Sequence, residues 1–112
     1  MLHIKEKKKT IHVSLRKISR INTLIADSIK AELTEIVAAP GRTFIFSMQG
    51  ITFIDSNGFE AILYIVKRSR ESGSNFKICD VSEEVYELIK LMKLNVVFEI
   101  NPEQYFEKTP IV

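Results

Sequence analysis

The chain of 112 residues has the length of one compact domain, and its 46% hydrophobic content is enough for a core and too high for a disordered chain. Sixteen basic residues stand against fourteen acidic ones, a formal charge of +2, which predicts no obligatory nucleic-acid or membrane partner. One cysteine excludes an internal disulfide, and two histidines nine residues apart give no metal-ligand spacing. The four glycines are scattered singly, with no phosphate-cradling loop among them.

No run approaches the ~20 apolar residues of a membrane span. Charges stand near the N-terminus where a signal peptide carries an apolar stretch. A cytoplasmic protein without direct membrane insertion is therefore expected.

Taken in order, Met1 to Lys9 begins as a short alternation and ends in Lys5-Glu6-Lys7-Lys8-Lys9. Lysines on an edge strand discourage edge-to-edge pairing, and no aromatic residue interleaves them as in a nucleic-acid arm. Thr10 to Arg16 alternates cleanly: Ile11, Val13 and Leu15 point one way, His12, Ser14 and Arg16 the other. That is a half-buried strand, and with the first segment it predicts an antiparallel pair turning through Lys7 to Lys9.

Ile18 to Thr23 reads as a connection. A helix is expected over Leu24 to Ala38, where Ile25, Ile29, Leu33 and Ile36 form a stripe that Leu24 and Val37 widen. Asn22 or Thr23 can cap its start, and Pro40-Gly41 ends it. Phe44-Ile45-Phe46, extended by Ser47-Met48, is continuously apolar and suggests an inner strand buried on both faces. Gln49-Gly50 turns the chain toward Ile51-Thr52-Phe53-Ile54.

Asp55-Ser56-Asn57-Gly58 follows, a cluster of short side chains that accept hydrogen bonds from unpaired helix N–H groups. It puts the Ser56 hydroxyl at a helix N-terminus, on the surface and in a positive local field. The cluster reads either as a plain capping turn or as a functional site that presents this hydroxyl. Phe59, Ile62, Leu63 and Val66 then give a second helical stripe, with Lys67, Arg68 and Arg70 in its last turn and Ser72-Gly73-Ser74 as its break.

Phe76 to Cys79 is the next strand, ending at Asp80, with Cys79 expected in the core. Ser82 can cap a third helix whose stripe is Val85, Leu88, Ile89 and Met92. Val96 to Ile100 reads as a final strand, Asn101-Pro102-Glu103 as the start of a short helix, and Thr109-Pro110 as a loose tail. After the opening pair, strands alternate with helices, so parallel neighbours joined by right-handed crossovers are expected.

Enzyme chemistry finds no support. A nucleophilic serine needs a base within reach, yet His3 and His12 both lie in the opening strands, and no Gly-x-Ser-x-Gly elbow occurs. No cofactor and no metal is expected. A phosphoacceptor needs only an exposed hydroxyl and a docking surface, because the partner supplies the catalysis.

Asp55-Ser56-Asn57-Gly58-Phe59 resembles the Asp-Ser-[Ser/Thr]-Gly-Leu signature of STAS domains, the fold of bacterial anti-sigma-factor antagonists. The resemblance extends over roughly residues 10 to 106. It implies one STAS-like α/β domain over 1–112, with a mixed, mostly parallel sheet of about five strands packed by three to four helices. Ile21-Asn22-Thr23-Leu24 looks like the STAS segment before the first helix, although the usual Gly-x-Ile-Asp pattern is absent there. Ser47 stands where an acidic residue is common, and Lys93 where a glycine is common before Leu94.

By this resemblance, Ser56 is the residue phosphorylated by a partner kinase, and Asp55, Asn57, Gly58 and Asn22 contribute to partner binding. The implied partners are an anti-sigma factor with serine kinase activity, captured by the unmodified protein, and a serine phosphatase that resets the switch. The alternative is a STAS accessory subunit of a membrane transporter, such as a lipid ABC complex, with Ser56 as a capping and contact residue. Some STAS domains bind nucleotides, but this sequence carries no motif for it.

Overall fold

A computed structural model describes residues 2–93. The opening alternation forms β1 (Leu2–Lys7) and β2 (Thr10–Leu15), paired antiparallel with Leu2 opposite Leu15 and Lys7 opposite Thr10. Then follow β3 (Arg20–Ile21), α1 (Thr23–Ile36), β4 (Thr43–Ser47), β5 (Phe53–Ile54), α2 (Ser56–Glu71), β6 (Asn75–Cys79) and α3 (Glu83–Leu91). The main sheet runs β1-β2-β4-β6, and the pairs β2–β4 and β4–β6 are parallel. Parallel neighbours need long crossovers, which α1 and α2 supply. β3 and β5 form a separate two-stranded parallel sheet.

Strand alternation decides which side of the sheet becomes core. Ile11, Val13, Phe44, Phe46, Phe76 and Ile78 are buried on one face, together with Ile29 and Leu33 of α1 and Phe59, Ile62 and Val66 of α2. The Phe76 ring lies 6.3 Å from that of Phe44 and 6.1 Å from that of Phe46, within the range of favourable aromatic pairs. Burying each of these side chains contributes about 1.5–3 kcal/mol. Ser74, buried after α2, receives the Arg42 N–H at 3.0 Å and donates to the Ala39 carbonyl at 2.7 Å, closing the loop before β4 onto the loop before β6.

Four expectations are corrected. Ile45 is half-buried, not enclosed, because the described helices cover only one face of β4. Cys79 is likewise half-buried, on the face that the described helices leave uncovered, since it alternates with the buried Ile78. Leu24 is 77% exposed and no part of the α1 stripe, while Ala26 is buried. Within the expected connection, Arg20–Ile21 is a short strand. The expected strand Val96 to Ile100, the helix at Asn101-Pro102-Glu103 and the tail at Thr109-Pro110 lie outside the described residues.

Candidate functional site

β3 and β5 set up the site. They run side by side in parallel, with Arg20 beside Phe53 and Ile21 beside Ile54, and each delivers the chain straight into a helix. The starts of α1 and α2 are therefore neighbours. The pairing is reinforced by hydrogen bonds from the Thr52 N–H to the Ser19 carbonyl (2.8 Å) and from the Asp55 N–H to the Ile21 carbonyl (3.1 Å). The Arg20 guanidinium stacks on the Phe53 ring, 4.4 Å from its centroid.

Each helix is capped by the short polar residue that its sequence offers. Asn22 has extended backbone, and its side chain accepts the Ile25 N–H at 3.1 Å. Asp55 does the same for α2, accepting the Gly58 N–H at 2.8 Å. Of the two residues able to cap α1, Asn22 takes the role. Thr23 instead accepts a hydrogen bond at 2.7 Å from the Asn57 side-chain amide, which ties the two helix starts together.

Ser56 is the first residue of α2 and is exposed, as is Asn57. Its hydroxyl stands where the helix leaves N–H groups unpaired and carries a partial positive charge. Neither α1 nor α2 has an acidic residue in its first turn, whereas α3 has Glu83 and Glu84. Besides the cap Asp55, the exposed Glu60, one turn on at i+4 from Ser56, opposes a further negative charge there.

Gly58 is buried for a steric reason. A Cβ there would sit 2.6 Å from Ile54 Cγ2, 2.9 Å from the Ile21 carbonyl oxygen and 3.0 Å from Ile21 Cγ2. The absence of a side chain lets α2 begin directly against β3 and β5. Phe59, next in sequence, is buried in the core as expected.

All five residues singled out in the sequence thus lie in one neighbourhood: Asn22 at one helix start, Asp55, Ser56, Asn57 and Gly58 at the other. Sequence reasoning assigned Leu24 to the α1 stripe, and the structure places it elsewhere. It follows Thr23 and is exposed at the start of α1, an apolar side chain beside a polar patch. Its angular position could have revealed it, because two residues turn a helix by about 200°, placing Leu24 opposite Ala26.

A family model described as the STAS domain matches residues 3–106. The chain belongs to the STAS-domain family. Among solved structures, this STAS chain is similar to an anti-sigma-factor antagonist (STAS) domain protein from Planctomyces limnophilus. The TM-score is 0.76 at 18% identity, covering 87% of this chain and 85% of the other. It is also similar to the anti-sigma factor antagonist SpoIIAA in its unphosphorylated form, with a TM-score of 0.71, 14% identity and coverage of 86% and 84%; the Bacillus SpoIIAA has a phosphorylated structure as well. The murine anion transporter Slc26a9 matches with a TM-score of 0.67 at 16% identity, over 82% of this chain but only 15% of the transporter. At these identities the likeness is one of fold. No curated protein sequence matches significantly.

The STAS expectation of a single α/β domain with a mixed, mostly parallel sheet packed by helices holds; the described residues form three helices and a four-stranded sheet, with a separate two-stranded sheet that the expectation did not include. Among the described residues, no group of His, Cys, Asp or Glu is placed to hold a metal ion. None of the described helices is long and apolar enough to cross a membrane.

Proposed function

We propose that this STAS domain, taken as one unit over 1–112, is an anti-sigma-factor antagonist: a protein-binding switch controlled by phosphorylation of Ser56. The supporting observation is the exposed Ser56 hydroxyl on a pinned helix start, beside a second helix start that carries the exposed Leu24. Unmodified, the protein captures an anti-sigma factor with serine kinase activity and frees a sigma factor. The Asp55 cap presents the hydroxyl, Asn57 and Gly58 hold the two helix starts together, and Asn22 keeps α1 in place. Leu24 supplies an apolar contact.

Phosphorylation adds about −1.5 to −2 charges. The helix N-terminus tolerates that charge within the fold. In the interface the charge and bulk cost several kcal/mol, and each 1.4 kcal/mol is about tenfold in affinity. The modified protein releases its partner, and a serine phosphatase resets it. In this reading the protein is not itself an enzyme and works without cofactor, nucleic acid or membrane insertion, in the cytoplasm.

A second reading has support in the likeness to a STAS-bearing anion transporter. There the domain is an accessory subunit of a membrane transporter, for instance a lipid ABC complex, and Ser56 only caps and contacts. The test is mass spectrometry of the protein purified from its own host, together with capture experiments on Ser56→Ala and Ser56→Asp. Phosphate on Ser56, with a kinase partner retained by alanine and lost by aspartate, supports the switch. No phosphate under several growth conditions, with a permease or ATPase captured by both variants, overturns it in favour of the transporter subunit.

A further inference from the structure

The face of the main sheet that the described helices leave uncovered carries a cleft, and Ser56 is not among its lining residues. Strand register brings one row of residues across all four strands: Lys5 opposite His12, His12 beside Ile45, and Ile45 beside Lys77. This row lines an open cleft of about 740 Å³. Arg16, following β2, adds a third cation. Asp80 is the only carboxylate among the described residues that line the cleft, and it accepts a hydrogen bond from the Ser47 hydroxyl at 2.7 Å. Among the described residues, Lys5, Arg16 and Lys77 take part in no ion pair, and all three are exposed.

The spacing selects the ligand. Neighbouring strands lie about 4.8 Å apart, so the backbones carrying Lys5 and Lys77, three strands apart, are separated by about 14 Å. A single small anion meets both ammonium groups only if both exposed side chains fold inward over His12 and Ile45; a ligand with two separated charges needs no such bending. An extended peptide rises about 3.3 Å per residue, so four steps cover about 13 Å, and its alternate side chains share one face. Two carboxylates at positions i and i+4 then meet Lys5 and Lys77. The side chain at i+2 falls over His12 and Ile45, where an apolar group is suited to the half-buried Ile45.

We propose that the open sheet face binds an extended acidic segment of a partner protein, with the pattern acidic-x-apolar-x-acidic. The surface acts independently of Ser56.

The test uses the full chain, isotopically labelled for NMR, titrated with the synthetic peptide Ser-Glu-Ser-Leu-Ser-Glu-Ser. Its counterpart with glutamine in place of both glutamates, inorganic phosphate, and phosphatidylglycerol vesicles serve as comparisons. The expected result is a set of shift changes on β1, β2, β4 and β6. The affinity should fall roughly tenfold or more for the glutamine peptide and for the Lys5→Glu/Lys77→Glu variant. Ser56→Asp should bind the peptide as the parent does, and thermal unfolding checks that the double variant is folded.

Equal binding of both peptides, or no binding of either, overturns the proposal. So do shift changes confined to the starts of α1 and α2. Binding of phosphate or vesicles without binding of the acidic peptide overturns it too, and reassigns the face to a small anion or a membrane.

Discussion

Gly58→Ala isolates the geometry of the candidate site. In a helix interior, alanine is favoured over glycine by about 1 kcal/mol, so a view from propensity alone expects stabilisation. The structure expects the reverse. The new methyl carbon would lie 2.6 Å from Ile54 Cγ2 and 2.9 Å from the Ile21 carbonyl oxygen. Neither neighbour yields easily: Ile54 is buried and β-branched, and the Ile21 carbonyl accepts the Asp55 N–H at 3.1 Å. Overpacking of this kind costs about 1–3 kcal/mol, and the backbone contact puts it in the upper part of that range. After the propensity gain, a net loss of about 1–2 kcal/mol remains. For a domain of this size that lowers Tm by roughly 4–16 °C. Urea and thermal unfolding of the two proteins measure it directly. A Gly58→Ala protein as stable as the parent, or more so, would refute the claim that α2 starts in steric contact with β3 and β5.

Three other outcomes are expected. Asp55→Ala removes the cap on the Gly58 N–H and should lower unfolding stability by about 0.5–2 kcal/mol in urea titrations; an unchanged midpoint would mean that water replaces the carboxylate at no cost. Leu24→Glu should leave stability within about 0.5 kcal/mol, because the side chain is exposed, while weakening capture of the partner by unmodified protein. A large loss of stability, or intact capture, would remove Leu24 from the interface. Lys93 holds φ at +57°, in the left-handed region. Lys93→Gly should therefore stabilise by about 0.5–1 kcal/mol, the left-handed penalty less the added freedom of the unfolded chain; destabilisation in a urea titration would contradict this.

Much of the fold could be read from periodicity. The alternation of Ile11, Val13 and Leu15 located β2, and Phe59, Ile62 and Val66 located the buried side of α2. Asp55 and Asn22 were legible as caps because capping is local. What escaped depends on contacts between distant segments. Arg20–Ile21 is too short for any period, and it is a strand only because Phe53–Ile54 lies beside it. The hydrogen bond from Asn57 to Thr23 joins residues from separate helices and leaves no trace in either stretch.

Ile45 and Cys79 were misplaced for another reason. An apolar residue on a strand is not evidence that a layer covers it, and α1 and α2 pack on the other face. The alternation of Asn75, Phe76, Lys77 and Ile78 already marked the side to which Cys79 belongs. Lys93 was noticed as a departure from the family's glycine, and its positive φ shows the conformation that glycine would hold without strain.

The bond from the Asp55 N–H to the Ile21 carbonyl also has a bearing on timing. It fixes the backbone at the start of α2 to that of β3, and Gly58 leaves no slack between them. Under the proposed switch, the docking surface is complete before a phosphate arrives and keeps its shape afterwards. No internal rearrangement then has to precede release. The delay between modification and release is set by how fast the partner dissociates, and single-exponential dissociation with no lag is its kinetic signature.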